Sequence, residues 1–432
     1  MDPLMSNIFL VSYIIAWIIT IITYQRKKQH FDAGSVVLFS YLLYSIASLL
    51  LYNSPFYTFN PIRIFPFIYL YLMLMLAVSP ILKYDDNKIN EIQKPNTVLL
   101  NAVSIIFIVA SLAYLPTIIS NFASGIVKLM VNPSGGQELY NEAMANSYHT
   151  GDGNITNLAA IISGSFSKIG ILLFFYYLTL KKPNKLILVG LFLSCIASIL
   201  TYIYLGQRGV IMEILFAMII TYFALRKFIP TKINKRIKII GIILIIATTI
   251  PVIVLTNSRF SEWRGGSLQS IYYYVGQENL NFNNYGLDNG GIRYGDRTFP
   301  LFKRMLGIDN VPNNFWERRK KYPNLKINDE VFYTFVGDFT LDFGPFVAPL
   351  IFILFTFFIL NKTRIRNGRI LFHQLILVHF VMCVCMVGGM KLYSFSDVGG
   401  NLQLIVYFLA YIFFRMDYEK SQQLKKQYSI SL

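Results

Sequence analysis

Apolar residues in this chain do not alternate with polar ones. They run in long stretches whose ends are marked by lysine, arginine, asparagine or proline. About eleven such stretches reach roughly the 17 to 25 residues that a helix rising 1.5 Å per residue needs to cross a bilayer core. They fall near Asn7–Tyr24, Gly34–Tyr52, Ile64–Leu82, Val98–Ile119, Leu158–Leu180, Leu186–Leu205, Gly209–Leu225, Ile239–Thr256, Gly344–Leu360, Ile370–Gly388 and Leu402–Phe414. The pattern predicts an all-α polytopic membrane protein with about 11 transmembrane helices (10–12) and a large outer loop of short helices. In chain order the expected divisions are 1–256, holding eight helices and an outer loop at 121–157; a large loop at 257–343; three more helices over 344–414; and a tail at 415–432.

Composition agrees with this reading. The 432 residues are 55% hydrophobic and only 14% charged, against about 25% charged in an ordinary soluble domain. The formal net charge of +17 would in a soluble protein point to nucleic acid. Its placement points elsewhere. Taking the connections alternately from the end of the first stretch, the runs Arg26–Asp32, Lys83–Lys94, Lys181–Lys185, Arg226–Lys238, Lys362–Arg369 and Arg415–Lys426 carry the whole excess, and the rest of the chain is neutral. Cytoplasmic connections collect Lys and Arg, so the N-terminus is expected outside and the C-terminus inside a bacterial cytoplasmic membrane. Anionic membrane lipid then accounts for the charge, with no nucleic acid as partner. The first residues, with Asp2 and no cation, lack the basic start of a cleavable signal peptide.

Several chemistries find no support. Cys195, Cys383 and Cys385 all fall inside expected helices, which argues against an extracellular disulfide framework. The four histidines form no HExxH pair, and no phosphate loop or GxGxxG is present, so no metal and no cofactor is expected. His373 and His379 lie six apart on one helix, off a shared face, and read as packed core. The run Arg318-Arg319-Lys320-Lys321 reads as a solvated or headgroup-facing patch.

The two long outer connections change the picture, because long loops on a rigid scaffold tend to carry binding and chemistry. The larger, 257–343, has nearly equal numbers of cations and acids and many aromatics. Arginine forks suit pyrophosphate, and flat aromatic rings suit the C–H faces of sugars. Four short stretches stand out: Tyr204-Leu205-Gly206-Gln207-Arg208-Gly209 in a tight outer turn, Thr256-Asn257-Ser258-Arg259 at a helix end, IYYYVGQENLNF over Ile271–Phe282, and FYTFVGDFTLDFG over Phe332–Gly344.

On these motifs and this architecture the chain resembles the Wzy family, the oligosaccharide repeat unit polymerases that build O-antigen and capsular polysaccharide. One departure is that the Arg-x10-Gly pattern of some members is absent from its outer segments. The resemblance implies a GT-C-like glycosyltransferase class. It also implies that undecaprenyl-pyrophosphate-linked glycans are both donor and acceptor, with the chain-length regulator and flippase of the same pathway as partners. A related O-antigen ligase and a lipid-linked oligosaccharide flippase or transporter are the alternatives. A transporter is expected to keep its polar site at the membrane midplane rather than in a large loop.

Such a transfer needs a pyrophosphate held at the lipid interface and a base for the acceptor hydroxyl. Arg208 and Arg259, at expected outer helix ends, are candidates for the first role. Asp338 and Asp342, one helical turn apart, are candidates for the second, with a helix-capping role as the alternative. Trp263, Arg264, Tyr274, Glu278, Arg293 and Arg297 are candidate substrate contacts, and Glu278 is a further candidate base. Lys168 and Glu213, inside expected helices, are expected to pair, either lining a lipid-carrier cavity or as a purely structural pair.

Overall fold

A computed structural model of the chain describes residues 3–131, 135, 137–139, 141–142, 155–260, 266–328, 331 and 333–430. Helices dominate it: α1 Pro3–Lys28, α2 Ala33–Tyr52, α3 Ile64–Lys83, α4 Thr97–Val131, α5 Ile155–Thr179, α6 Lys185–Tyr204, α7 Arg208–Leu225 and α8 Thr231–Phe260. After these come α9 Gly266–Tyr285, α10 Pro300–Met305, α11 Phe315–Lys321, α12 Thr334–Lys362, α13 Phe372–Gly388 and α14 Asp397–Ile430. Two three-residue strands, β1 Glu91–Gln93 and β2 Arg369–Leu371, pair in parallel with Ile92 opposite Ile370.

Ten of these helices are long and apolar enough to cross a membrane. The remaining expected stretch, Ile370–Gly388, appears as α13, which is apolar but only 17 residues long. The chain is therefore a multi-pass helical membrane protein. Helix α8 shows why no soluble fold suits it: Ile239, Ile240, Ile242, Ile243, Ile246 and Ile250 are all exposed, so the helix presents a broad apolar face outward. Such a surface is stable against lipid and not against water.

Local chemistry fixes the helix ends. Asp32 accepts a hydrogen bond from the Ser35 amide at 2.9 Å while the Ser35 hydroxyl receives the Asp32 amide, a reciprocal cap that starts α2. Asn184 caps α6 by accepting from the amides of Leu186 and Ile187. The connection expected at 121–157 begins later than expected, because α4 continues to Val131.

Contacts group the chain into two compact units that do not follow chain order. The first comprises Met1–Tyr84, Phe260–Leu360 and Val381–Leu402, and the second Asp85–Arg259, Asn361–Phe380 and Gln403–Leu432. In the second unit α4, α5 and α6 pack closely where side chains are missing. A Cβ at Gly170 would meet the Phe107 ring at 2.2 Å, and one at Gly190 would meet Ile108 at 2.8 Å. Small residues at helix crossings are the usual device for tight packing in lipid. In the first unit α12 is broken at Gly344, whose φ of 80° is outside the helical region. The following Pro345 has no N–H to give, and its carbonyl receives the Tyr69 hydroxyl at 2.7 Å.

Candidate functional site

In the first unit the segment between α9 and α12 is a folded cap held by a buried ionic lattice. Arg293 is wholly buried. Its Nε donates to Asp342 Oδ1 at 2.6 Å and its Nη2 to Asp338 Oδ1 at 3.1 Å. Asp338 Oδ2 accepts from Arg297 Nη1 and from the Tyr393 amide, the latter at 2.7 Å. Asp342 Oδ2 accepts from the Thr298 amide at 2.7 Å and its hydroxyl at 2.6 Å. The one-turn spacing read from the sequence does put both carboxylates on one face of α12. What the sequence did not reveal is that Arg293 and Arg297 occupy that face.

The lattice reaches the surface at Asp397, whose side chain is half exposed and which accepts from Arg318 Nη1 at 3.0 Å and lies 3.7 Å from Arg297 Nη2. Arg318 is thus a buried member of the site, while Arg319 and Lys320 stay exposed, so only part of the expected solvated patch is one. A second knot surrounds Asp296, which accepts from Lys303, from Lys321 at 2.7 Å and from the Tyr322 hydroxyl at 2.7 Å. Burial alone would push the Asp296 carboxyl up, but these three donors outweigh it and hold it below the ordinary aspartate value. The same pairing, after burial, pushes the Tyr322 phenol up.

Helix α9, the IYYYVGQENLNF segment, lies against α2 and α3. Gly276 makes this possible, since a Cβ there would meet the Ala47 carbonyl oxygen at 2.6 Å. The Ser48 hydroxyl donates to the Gly276 carbonyl at 2.8 Å and accepts from Asn279 Nδ2 at 3.0 Å. Asn283 clamps the backbone of Arg63 at both ends, accepting from its amide at 2.9 Å and donating to its carbonyl at 2.7 Å. Gln277, Glu278, Asn279, Asn281 and Asn283 are all buried. Tyr274 is half-buried on the same helix, and Tyr273 packs its ring 4.7 Å from that of Tyr57.

In the second unit Arg208 opens α7 and is buried, donating from Nη1 to Thr256 Oγ1 at 2.7 Å. The turn before it needs Gly206 at φ 65°, a conformation that glycine adopts without strain. Gln207 stands at the N-cap without giving a side-chain cap. Lys168 and Glu213 do pair, Nζ to Oε2 at 3.4 Å, with both side chains buried. His379 is used at both nitrogens, 2.7 Å from the Thr221 hydroxyl and 2.9 Å from that of Tyr407, as expected of packed core. Cys195, Cys383 and Cys385 are buried and form no disulfide with one another.

The candidates therefore fall into two sets, Arg208, Lys168 and Glu213 in the second unit and Tyr274, Glu278, Arg293, Arg297, Asp338 and Asp342 in the first. Arg259 lies in the last turn of α8, and Trp263 and Arg264 lie outside the described residues. A cavity of about 350 Å³ in the second unit, walled by Lys94, Asn96, His373, Phe414, Asp417 and Tyr418 among others, holds none of them. No family model, curated protein or solved structure matches the chain.

Proposed function

We propose that the chain is a membrane glycosyltransferase that joins oligosaccharide repeat units carried on a lipid pyrophosphate, working at the face away from the basic connections. The observation that carries this reading is Arg208. A buried guanidinium at the first residue of an apolar span is costly in lipid and is worth that cost where an anion must be held. Gln207 gives no side-chain cap at the start of α7, so the positive end of that helix lies at the same place. A pyrophosphate leaving group on a membrane lipid has the charge and the depth that such a site serves. Arg259 belongs to the same expected layer. The folded cap over Arg293–Asp342 supplies a fixed polar surface for glycan, and its mouth offers two guanidiniums, Arg297 and Arg318, around one half-exposed carboxylate.

The test is deletion of the gene in its host, with complementation by wild type, Arg208→Lys and Arg208→Ala. Deletion is expected to leave single repeat units on the surface acceptor or the carrier. Wild type restores long polymer, and both variants at normal protein level restore little, because Lys keeps the charge but loses the fork. Long chains stranded on the lipid carrier would indicate a ligase, and single units trapped inside would indicate a flippase. Full-length polymer from both variants would overturn the role of Arg208.

A further inference from the structure

Among the buried acids of the first unit, Glu278 differs from the rest. Asp32, Asp296, Asp338 and Asp342 each accept hydrogen bonds from named donors. Glu278 has no exposed surface, and among the described residues neither of its carboxylate oxygens has a hydrogen-bond partner. A buried unpaired carboxylate destabilises a fold by more than almost any other single group, so its presence calls for a compensating use.

Its surroundings name the use. Tyr13 of α1 and Tyr44 of α2 lie within electrostatic reach of Glu278. Tyr13 stacks on Phe67 at 4.5 Å, and Trp17 lies 5.1 Å from Tyr41 and 4.9 Å from Tyr71, ring to ring. The Tyr13 hydroxyl and the Trp17 indole N–H are also buried with no partner beyond each other. A carboxylate acceptor, a Tyr13–Trp17 pair with no further partner and a wall of aromatic rings together match one ligand class, a sugar ring with its apolar C–H face and its hydroxyls.

We infer that Glu278 is the general base of the transfer, set in an acceptor-sugar subsite walled by Tyr13, Trp17 and Tyr44. This rests on the glycosyl-transfer reading above. Asp338 and Asp342 are excluded from that role by geometry, since their oxygens already accept from Arg293, Arg297, Thr298 and the Tyr393 amide. In the step, the acceptor hydroxyl gives its proton to the Glu278 carboxylate as its oxygen bonds to the anomeric carbon of the donor. The bond from that carbon to the lipid pyrophosphate breaks, and its electron pair leaves with the pyrophosphate. Burial holds the Glu278 carboxyl well above the ordinary glutamate value, so the base form gains population as pH rises.

The experiment compares full-length wild type, Glu278→Gln, Glu278→Asp and Tyr13→Phe in liposomes, supplied with the lipid-pyrophosphate-linked repeat unit purified from the deletion strain. Polymer formation is followed against pH. Glu278→Gln keeps the shape and removes an unpaired buried acid, so it is expected to raise the melting temperature while lowering the rate by about 100-fold or more. Glu278→Asp is expected to keep part of the rate with its pH midpoint moved, and Tyr13→Phe to raise KM more than it lowers kcat. A Glu278→Gln rate within about twofold of wild type and with the same pH profile would overturn the assignment. So would loss of rate in Glu278→Gln matched by loss of folded protein, if Glu278→Asp then ran at the wild-type rate with an unmoved midpoint. Absence of polymer from wild type itself would instead overturn the reading beneath it.

Discussion

Arg293 is the residue on which the cap depends. Its single guanidinium serves two buried carboxylates of α12, so truncation would leave Asp338 and Asp342 facing each other with half their charge uncompensated. Breaking a buried pair in this way costs about 3–5 kcal/mol. Arg293→Ala is expected to lower the melting temperature of detergent-solubilised protein more than any exposed substitution in the cap, and Arg293→Lys to do nearly as much, since one ammonium cannot reach both partners. Asp296 gives a pH-dependent counterpart. Its folded value lies below its unfolded one, so its contribution is present above the ordinary aspartate range and is lost as pH falls through the depressed value. The stability gap between wild type and Asp296→Asn, read from melting temperatures across a pH series, is therefore expected to close below about pH 4.

At the scale of elements, α9 depends on one missing side chain. Gly276→Ala drives a methyl group into the Ala47 carbonyl of α2, and overpacking of this kind costs about 1–3 kcal/mol. Gly241→Ala on α8, where a Cβ meets nothing within 4 Å, is the matched control and is expected to leave the melting temperature unchanged or slightly raised. The contrast between the two glycines bears on what the sequence could reveal. The spans were legible because lipid imposes a length and a composition that can be read locally, and so was the turn-by-turn spacing of Asp338 and Asp342. The Lys168–Glu213 pair was legible too, since two opposite charges in apolar stretches have few other ways to be satisfied. Helix α9 was not legible as a buried element. Its own residues are polar, and what buries it is α2, whose Ala47 and Ser48 meet it from more than two hundred positions away. Arg318 was misread for the same reason, because its partner Asp397 lies outside the loop in which Arg318 sits.

At the scale of the whole molecule, charge is sorted along the chain by connection. If the basic connections face the cytoplasm, a cysteine placed at Tyr294 should react with a membrane-impermeant thiol reagent in intact cells, and one at Lys182 only after the cells are opened. Both positions are exposed, and the three native cysteines are buried and should stay silent. Labelling in the reverse pattern would invert the orientation and with it the face assigned to the cap.

The first unit is assembled from three separated lengths of chain, the last of them Val381–Leu402. During synthesis α1, α2 and α3 enter the membrane long before α9 exists to pack against Ala47 and Ser48 of α2, and Asp338 is made before the Tyr393 amide it accepts from. The nascent protein must therefore wait with these contacts unmade until almost the whole chain has emerged. Truncated chains ending before Val381 should accordingly be substrates for membrane quality control rather than stable fragments.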